Sequence, residues 1–309
     1  MNKTKKNLLL SLIFVTLNAH ADLPLTVENV ISDSGQLKLE TNLSYVNSNT
    51  QTATGINPIL VQTGTTSFVQ LPTIITDQKS NSDVLVATAG LRYGISANLE
   101  AYSRASYLAR FNRFNKQLTD NDTVPLSERS HQWQDAWLGV NYKIKDDTNT
   151  PALFVFGEAA LYENGQSNHS YLKSYLLGMT TYHSIDPVVL SVSAACRTSN
   201  NRQNGTDDIK PGNILFINPS VAFAVNDKVS LTTGFSWTLR QATIINGQKI
   251  DTTSTSTDLN LGLGFGLTDA TNLAFNFRTS ASGNNDAEMR FNLIHTFGYQ
   301  RKTVTPKVE

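Results

Sequence analysis

The sequence predicts an all-β chain: a transmembrane, antiparallel, up-and-down β-barrel of about twelve strands with a short N-terminal helix. Three observations predict it. Apolar and polar side chains alternate with period two, and the pattern recurs about twelve times. The connections alternate between tight turns and long polar loops. An export signal precedes both features.

The clearest copy of the alternation is 228–241, KVSLTTGFSWTLRQ. Val229, Leu231, Thr233, Phe235, Trp237 and Leu239 share one face. Ser230, Thr232, Gly234, Ser236, Thr238 and Arg240 share the other. A half-buried strand of a soluble protein has the same period but runs roughly 5–6 residues. A tilted strand crossing a bilayer needs about 9–11 and turns its apolar face to lipid. Composition agrees. The 309 residues are 39 % hydrophobic, with mean hydropathy −0.24 and 25 basic against 25 acidic side chains. Balanced charge gives no reason to expect a nucleic-acid partner. No segment after the signal reaches the roughly 18 apolar residues of a spanning helix, which excludes a helical membrane protein and leaves a barrel open. The single cysteine, Cys196, shares an apolar face with Leu190, Val192 and Ala194 and reads as a small hydrophobe.

At the N-terminus, residues 1–21 read as a cleaved signal peptide. Lys3, Lys5 and Lys6 are its basic region, 8–17 its apolar core, and Ala19-His20-Ala21 its cleavage site. Residues 22–35 form an N-terminal segment expected to act as a plug. Within it, 26–33 has a helical rhythm, with Val27, Val30 and Ile31 on one face and Thr26 as N-cap. So short a helix is unstable alone and must dock, the barrel lumen or its periplasmic mouth being nearest. The barrel itself is assigned to 36–297, and 298–309 to a periplasmic tail.

The strands are expected at 36–47, 83–95, 98–111, 132–144, 152–162, 171–183, 188–197, 214–225, 228–241, 257–267, 271–280 and 287–297. Most give a clear outward face, such as Leu85, Ala87, Ala89, Leu91 and Tyr93 in the second. The fifth and sixth are apolar on both faces, so their facing stays open. Tight turns fall at 96–98, 145–150, 184–187, 226–227 and 268–270, with Asn, Asp and Pro supplying turn geometry. The other connections, 48–82, 112–130, 163–170, 198–213, 242–256 and 281–286, are mostly longer and polar. Short periplasmic turns and long outer loops are the arrangement of outer-membrane barrels. One loop contains an apolar run, SFVQLPTII at 67–75, which is expected to fold into the lumen or add a β segment. Aromatics near strand ends, Tyr93, Phe111, Tyr142, Trp237 and Phe297, suit interfacial girdles.

If the apolar faces meet lipid, the opposite faces line the pore. Arg92, Glu100, Arg104, Arg110, Asp135, Glu158, Arg240, Asp258, Arg278, Glu288 and Arg290 then project inward, because Arg or Lys on the lipid face costs about 2–4 kcal/mol at the midplane. Glu100 and Arg92 share a hairpin, as do Asp258 and Arg278 at its opposite ends, and Arg278, Glu288 and Arg290 share another. Such pairs either brace the wall or set pore selectivity. Catalysis has no support. His131, His169 and His183 sit next to serines, but adjacent strand residues face opposite sides. No GxSxG, HExxH or P-loop occurs, and no His, Cys and carboxylate cluster has metal spacing. No enzyme, metal or cofactor is expected.

Several phrases carry a resemblance. DAWLGVNYKIKDDTNTPALFVFGEAAL at 135–161, Thr181-Tyr182, IDPVVL at 185–190, KPGN at 210–213 and NPSVAFAVN at 218–226 resemble the functional-amyloid secretion channels of pseudomonads. They are also similar, more loosely, to the outer-membrane proteins named for meta-pathway phenol degradation. The resemblance implies a twelve-stranded barrel with a helical plug, and homotrimers. The family's coiled-coil segment before the plug has no counterpart here. The expectation is therefore an outer-membrane channel or transporter that passes small solutes or an unfolded polypeptide through a polar lumen, gated by the N-terminal segment. Its partners would be outer-membrane lipid, the barrel-assembly machinery and the transported solute or exported polypeptide. An amyloid-subunit secretion pore and a non-conducting barrel displaying adhesive outer loops are the alternatives.

Overall fold

The computed structural model describes residues 31–50, 59–63, 68–71, 80–119, 122–164, 169–282 and 285–298. Twelve long strands form its wall. They are β1 Leu37–Thr50, β2 Ser80–Gly94, β3 Leu99–Thr119, β4 Asp122–Lys145, β5 Ala152–Asn164, β6 Ser174–Ile185, β7 Val188–Ser199, β8 Ile214–Asn226, β9 Val229–Arg240, β10 Ser254–Thr268, β11 Thr271–Ser282 and β12 Asn285–Phe297. Each pairs antiparallel with the next. β12 then returns to β1, from Leu37↔Phe297 to Asn49↔Asn285, and closes the sheet. A closed sheet has no free edge, so the wall satisfies its own backbone groups.

Side chains alternate across this wall. On β1, Lys38, Asn42, Ser44 and Ser48 are buried toward the axis, while Leu37, Leu43 and Tyr45 are exposed. On β9, Ser230, Ser236 and Arg240 are buried and Leu231 and Phe235 exposed. On β10, Leu261, Leu263, Phe265 and Leu267 are all exposed. The exterior is thus apolar and much of the interior polar, the reverse of a barrel dissolved in water. Cys196 is free and exposed on the outer face.

β5 and β6 now have a facing. Ala152, Phe154, Phe156, Glu158 and Ala160 point inward from β5, and Leu176, Thr180 and Tyr182 from β6. Their two faces looked alike because this side of the lumen is itself apolar. One buried cluster joins Ala152, Phe154, Tyr182, Val189, Ala222 and Ala224. Another joins Phe68, Trp137, Phe156, Leu176, Ala195, Ile214 and Phe216. The expected polar lumen therefore holds apolar patches as well.

Two further expectations change, and a third falls mostly outside the described residues. β3 and β4 run on to Thr119 and from Asp122, so most of the stretch expected as a long loop at 112–130 is a continuous antiparallel ribbon. Its register, from Phe111↔Arg129 to Gln117↔Thr123, extends the wall ladder without a break, and ladder continuity outweighs polar composition there. Of the helix expected over 26–33, residues 26–30, including Val27 and Val30, lie outside the described residues, and 31–33 form no helical turn. Residues 1–21 and 299–309 also lie outside them. Asp258 and Arg278 are not at opposite ends of their hairpin. Arg278 pairs in register with Asn260, two residues from Asp258.

Of the apolar run in the first long loop, residues 68–71 lie inside the barrel, and 67 and 72–75 fall outside the described residues. Ile59–Gln62 pairs with Phe68–Leu71 as a short hairpin. Val61 and Val69, both fully buried, pack on Val46, Val84, Val86 and Leu108 of β1, β2 and β3. Phe68 stacks on Phe216 of β8, ring centroids 4.2 Å apart. The hairpin therefore bridges opposite sides of the lumen. At the long-loop end, Arg202–Asn204, Asp207–Lys210, Ile244–Ile245 and Gln248–Lys249 from two loops pair into a small separate sheet. At the other end, Asp147 accepts from the Ser184 amide at 2.7 Å and contacts His183 Nδ1 at 2.7 Å, tying the β4–β5 turn to β6.

Packing inside is tight enough to test. Gly178 of β6 faces Phe156 across the ladder, and a Cβ there would lie 2.2 Å from the Phe156 ring and 2.7 Å from the Ala194 carbonyl oxygen. Overpacking of this kind costs about 1–3 kcal/mol. Gly178→Ala is expected to lower the unfolding temperature in detergent, measured as the loss of the compact electrophoretic band on heating. An unchanged transition would contradict the close approach.

Candidate functional site

The lumen is the candidate site, and most of its charged side chains among the described residues fall into four groups. The first lies nearest the N-terminal segment. Glu100 is fully buried and carries five bonds. Arg92 donates from Nε and Nη2 to its Oε1 at 2.9 and 2.6 Å, and Asn141 donates at 2.8 Å. The backbone N–H and the hydroxyl of Ser32 both donate to Oε2, at 2.6 and 2.5 Å. Arg92 also reaches Glu40, 3.6 Å away. A buried carboxylate so surrounded has its charge matched by donors rather than by water. Ile31 packs against the cluster around Phe154 and Tyr182. Gly94 lets the segment approach, because a Cβ there would sit 2.1 Å from the Asp33 carbonyl oxygen.

The second group lies on β3, β4 and β5. Arg104 donates to Glu158 at 2.9 Å, and its other nitrogen stands 3.9 Å from Asp135. The Tyr102 hydroxyl donates to the second Glu158 oxygen at 2.9 Å. Trp137 is 1 % exposed and lies between two guanidinium groups, Arg104 at 4.9 Å and Arg197 at 5.1 Å from its ring. Arg197 in turn donates to Glu163 at 2.6 Å, and Arg202 reaches the same carboxylate at 3.2 Å. The third group lies on β10, β11 and β12: Arg278 bonds Asp258 at 3.0 Å and Glu288 at 2.6 Å, with Arg290 alongside. The fourth lies toward the long loops, where Arg240 donates to Asp251 at 2.9 Å. Arg110, half-buried on the inward face of β3, pairs in register with Ser130.

The eleven charged positions singled out in the sequence thus do not form one ring. Arg92 and Glu100 meet Ser32. Arg104, Asp135 and Glu158 meet Trp137. Asp258, Arg278, Glu288 and Arg290 meet one another, and Arg240 turns to a loop carboxylate. Sequence reading missed Trp137, Tyr102, Arg197, Glu163, Glu40 and Ser32. Arg197 and Glu40 have the right parity, opposite Cys196 and Leu39, and alternation alone could have found them. Glu163 does not: a register shift where Ala136 pairs with Tyr162 and Trp137 with Ala160 leaves Leu161 unpaired and changes the parity of β5.

These pairs make a sharp expectation. Arg104→Ala strands Glu158 and Asp135 inside the wall, and breaking a buried pair from one side costs about 3–5 kcal/mol. Arg104→Met combined with Glu158→Leu is expected to cost less than Arg104→Ala alone, as read by thermal unfolding in detergent. A double variant less stable than the single one would show that the site does more than neutralise itself.

No family model matches the sequence, and no curated protein matches it. Solved structures do match in shape. An outer-membrane channel from Pseudomonas putida F1 aligns over 88 % of this chain and 100 % of its own, at 11 % identity and a TM-score of 0.57. The translocator domain of the autotransporter NalP from Neisseria meningitidis aligns over 85 % of this chain and 89 % of its own, at 9 % identity and a TM-score of 0.43. A monoaromatic hydrocarbon channel, CymD, aligns over 85 % and 88 %, at 7 % identity and 0.46. The last two scores are too low to carry weight. The first establishes a shared fold: this chain is built as the Pseudomonas outer-membrane channel is.

Proposed function

We propose that the protein is a channel of a bacterial outer membrane, passing small solutes through the barrel and held shut in this state by two of its own segments. The observation that carries the reading is the inverted wall, a closed sheet with apolar side chains outside and self-paired charges inside. Lipid covers such an exterior at no cost, whereas water does not. The fold shared with the Pseudomonas channel supports the same setting. The lining has two characters: ion pairs such as Arg92–Glu100 and Arg278–Glu288, and apolar patches, one where Phe156, Leu176 and Phe216 converge and one at Val46, Val84, Val86 and Leu108. It suits a solute with an apolar body and a polar group. An export signal, the barrel-assembly machinery and a homotrimer belong to this reading as accompaniments.

The inner closure is the Ser32–Glu100 contact. Glu100→Gln replaces the charged acceptor by an amide and weakens both Ser32 bonds. In planar bilayers the parent protein is expected to show brief or small openings, and Glu100→Gln a higher open fraction. Removing residues 22–33 should raise it further. Absence of current in all three would sink the channel reading.

One observation favours a second reading. The hairpin and Ile31 pack against three buried clusters of the inner wall, as expected of a non-conducting barrel that displays its outer loops. The same recordings separate the two, since a display barrel stays silent in every variant.

A further inference from the structure

The luminal hairpin is held in an unusual way. Its two strands, Ile59–Gln62 and Phe68–Leu71, pair with each other and not with the wall. Each therefore has a free edge, with carbonyl groups that need donors. Wall side chains supply them at alternate residues. On one edge, Arg278 donates to the Leu60 carbonyl at 2.6 Å, Arg290 to that of Gln62 at 2.9 Å, and the Ser44 hydroxyl to the same oxygen at 3.4 Å. On the other edge, Arg104 donates to the Phe68 carbonyl at 3.4 Å and Gln134 to that of Gln70 at 3.3 Å. The donors come from β1, β3, β4, β11 and β12, on both sides of the hairpin. The hairpin strands, ILVQ and FVQL, bring no charged side chain of their own.

We propose that the barrel wall forms a binding site for a β-strand edge, read through backbone carbonyls. Its occupant is the chain's own paired strands, Ile59–Gln62 and Phe68–Leu71, which serve as a second, outer gate, separate from the Ser32–Glu100 closure. Two features make it a gate rather than a fixed core. The wall ladders beside it, β12–β1, β1–β2 and β2–β3, are complete without it, so its departure breaks no wall pairing. A two-stranded hairpin of four residues a side is marginal by itself and depends on its seat. That seat is partly apolar, Val61 and Val69 on Val46, Val84, Val86 and Leu108, and partly the carbonyl contacts. Once the hairpin leaves, Arg104 and Arg278 keep their carboxylates, and Arg290 exchanges the Gln62 carbonyl for the water that enters. The gating role rests on the channel reading; the strand-edge site does not.

The test uses the full chain in lipid vesicles, with Cys196→Ser as background. Val86→Cys places a thiol under the hairpin, at a position that is fully buried. Its rate of reaction with a charged, water-soluble methanethiosulfonate reports uncovering. The parent is expected to label slowly. Replacing 59–71 with a glycine–serine linker of equal length should raise the rate strongly. Arg290→Gln, which leaves both carboxylate pairs of Arg278 intact, should raise it by about tenfold, the scale set by losing one charge-assisted hydrogen bond from a local opening equilibrium. Glu100→Gln should leave the rate unchanged. Equal rates in the parent and in Arg290→Gln would overturn the strand-edge site, even if the linker variant failed to fold. Fast labelling in Glu100→Gln would overturn the independence of the two gates. Silent bilayers together with the expected labelling pattern would remove the channel reading and leave the binding site standing.

Discussion

The structure depends on one constraint: a strand shows alternate residues to opposite sides, and here the outer side is apolar. Every charged side chain of the wall's central stretch is then forced inward. Inside a closed sheet those charges stand within reach of one another and far from bulk water, so each must be neutralised locally. The pairs Arg92–Glu100, Arg104–Glu158, Arg197–Glu163 and Arg278–Glu288 follow from that need. They make the lumen a polar core laid against an apolar one.

A core of this kind has room for ligands that behave like protein, and two pieces of the chain take that place. Ser32 offers an amide and a hydroxyl to a carboxylate, so the wall is the acceptor. The hairpin offers carbonyls to arginines and a glutamine, so there the wall is the donor. The two contacts use opposite polarities, draw on separate charge groups and share no residue. Changes at one end therefore need not travel to the other.

How much of this was legible depends on where period two holds. On β9, and on β10 as far as Gly266, it holds, and the facing of Leu231, Phe235, Leu261 and Leu263 can be read directly. It fails at bulges. Around Gln134, Tyr107 pairs with Trp133 while Ser106 pairs with Asp135, so the residues beyond change face. Leu161 does the same on β5 and hides Glu163. Period two also fails where the interior is apolar, because a strand greasy on both sides carries no facing signal; β5 and β6 are that case. The partners of a charge were harder still. Trp137 joins Arg104 to Arg197 across the lumen, and neither strand spacing nor composition encodes a contact between β4 and β7.

The departures from alternation are themselves informative. Val46, Val84, Val86 and Leu108 point inward and are almost completely buried, although a water-filled pore gives apolar side chains no reason to gather there. Nearby, a long polar loop carries an apolar run that no free surface loop would keep. Each anomaly needs a hydrophobic partner, and in a closed barrel facing lipid the lumen is the one place where they can meet away from both lipid and water. The run's backbone still needs donors once it is inside, which gives the inward guanidinium groups of Arg104, Arg278 and Arg290 something to hold besides carboxylates. The inward valines, the buried loop segment and the arginines beside it are thus three parts of a single solution. Without the buried segment the inward valines would lose their apolar cover, and without the arginines its outward carbonyls would lose their donors.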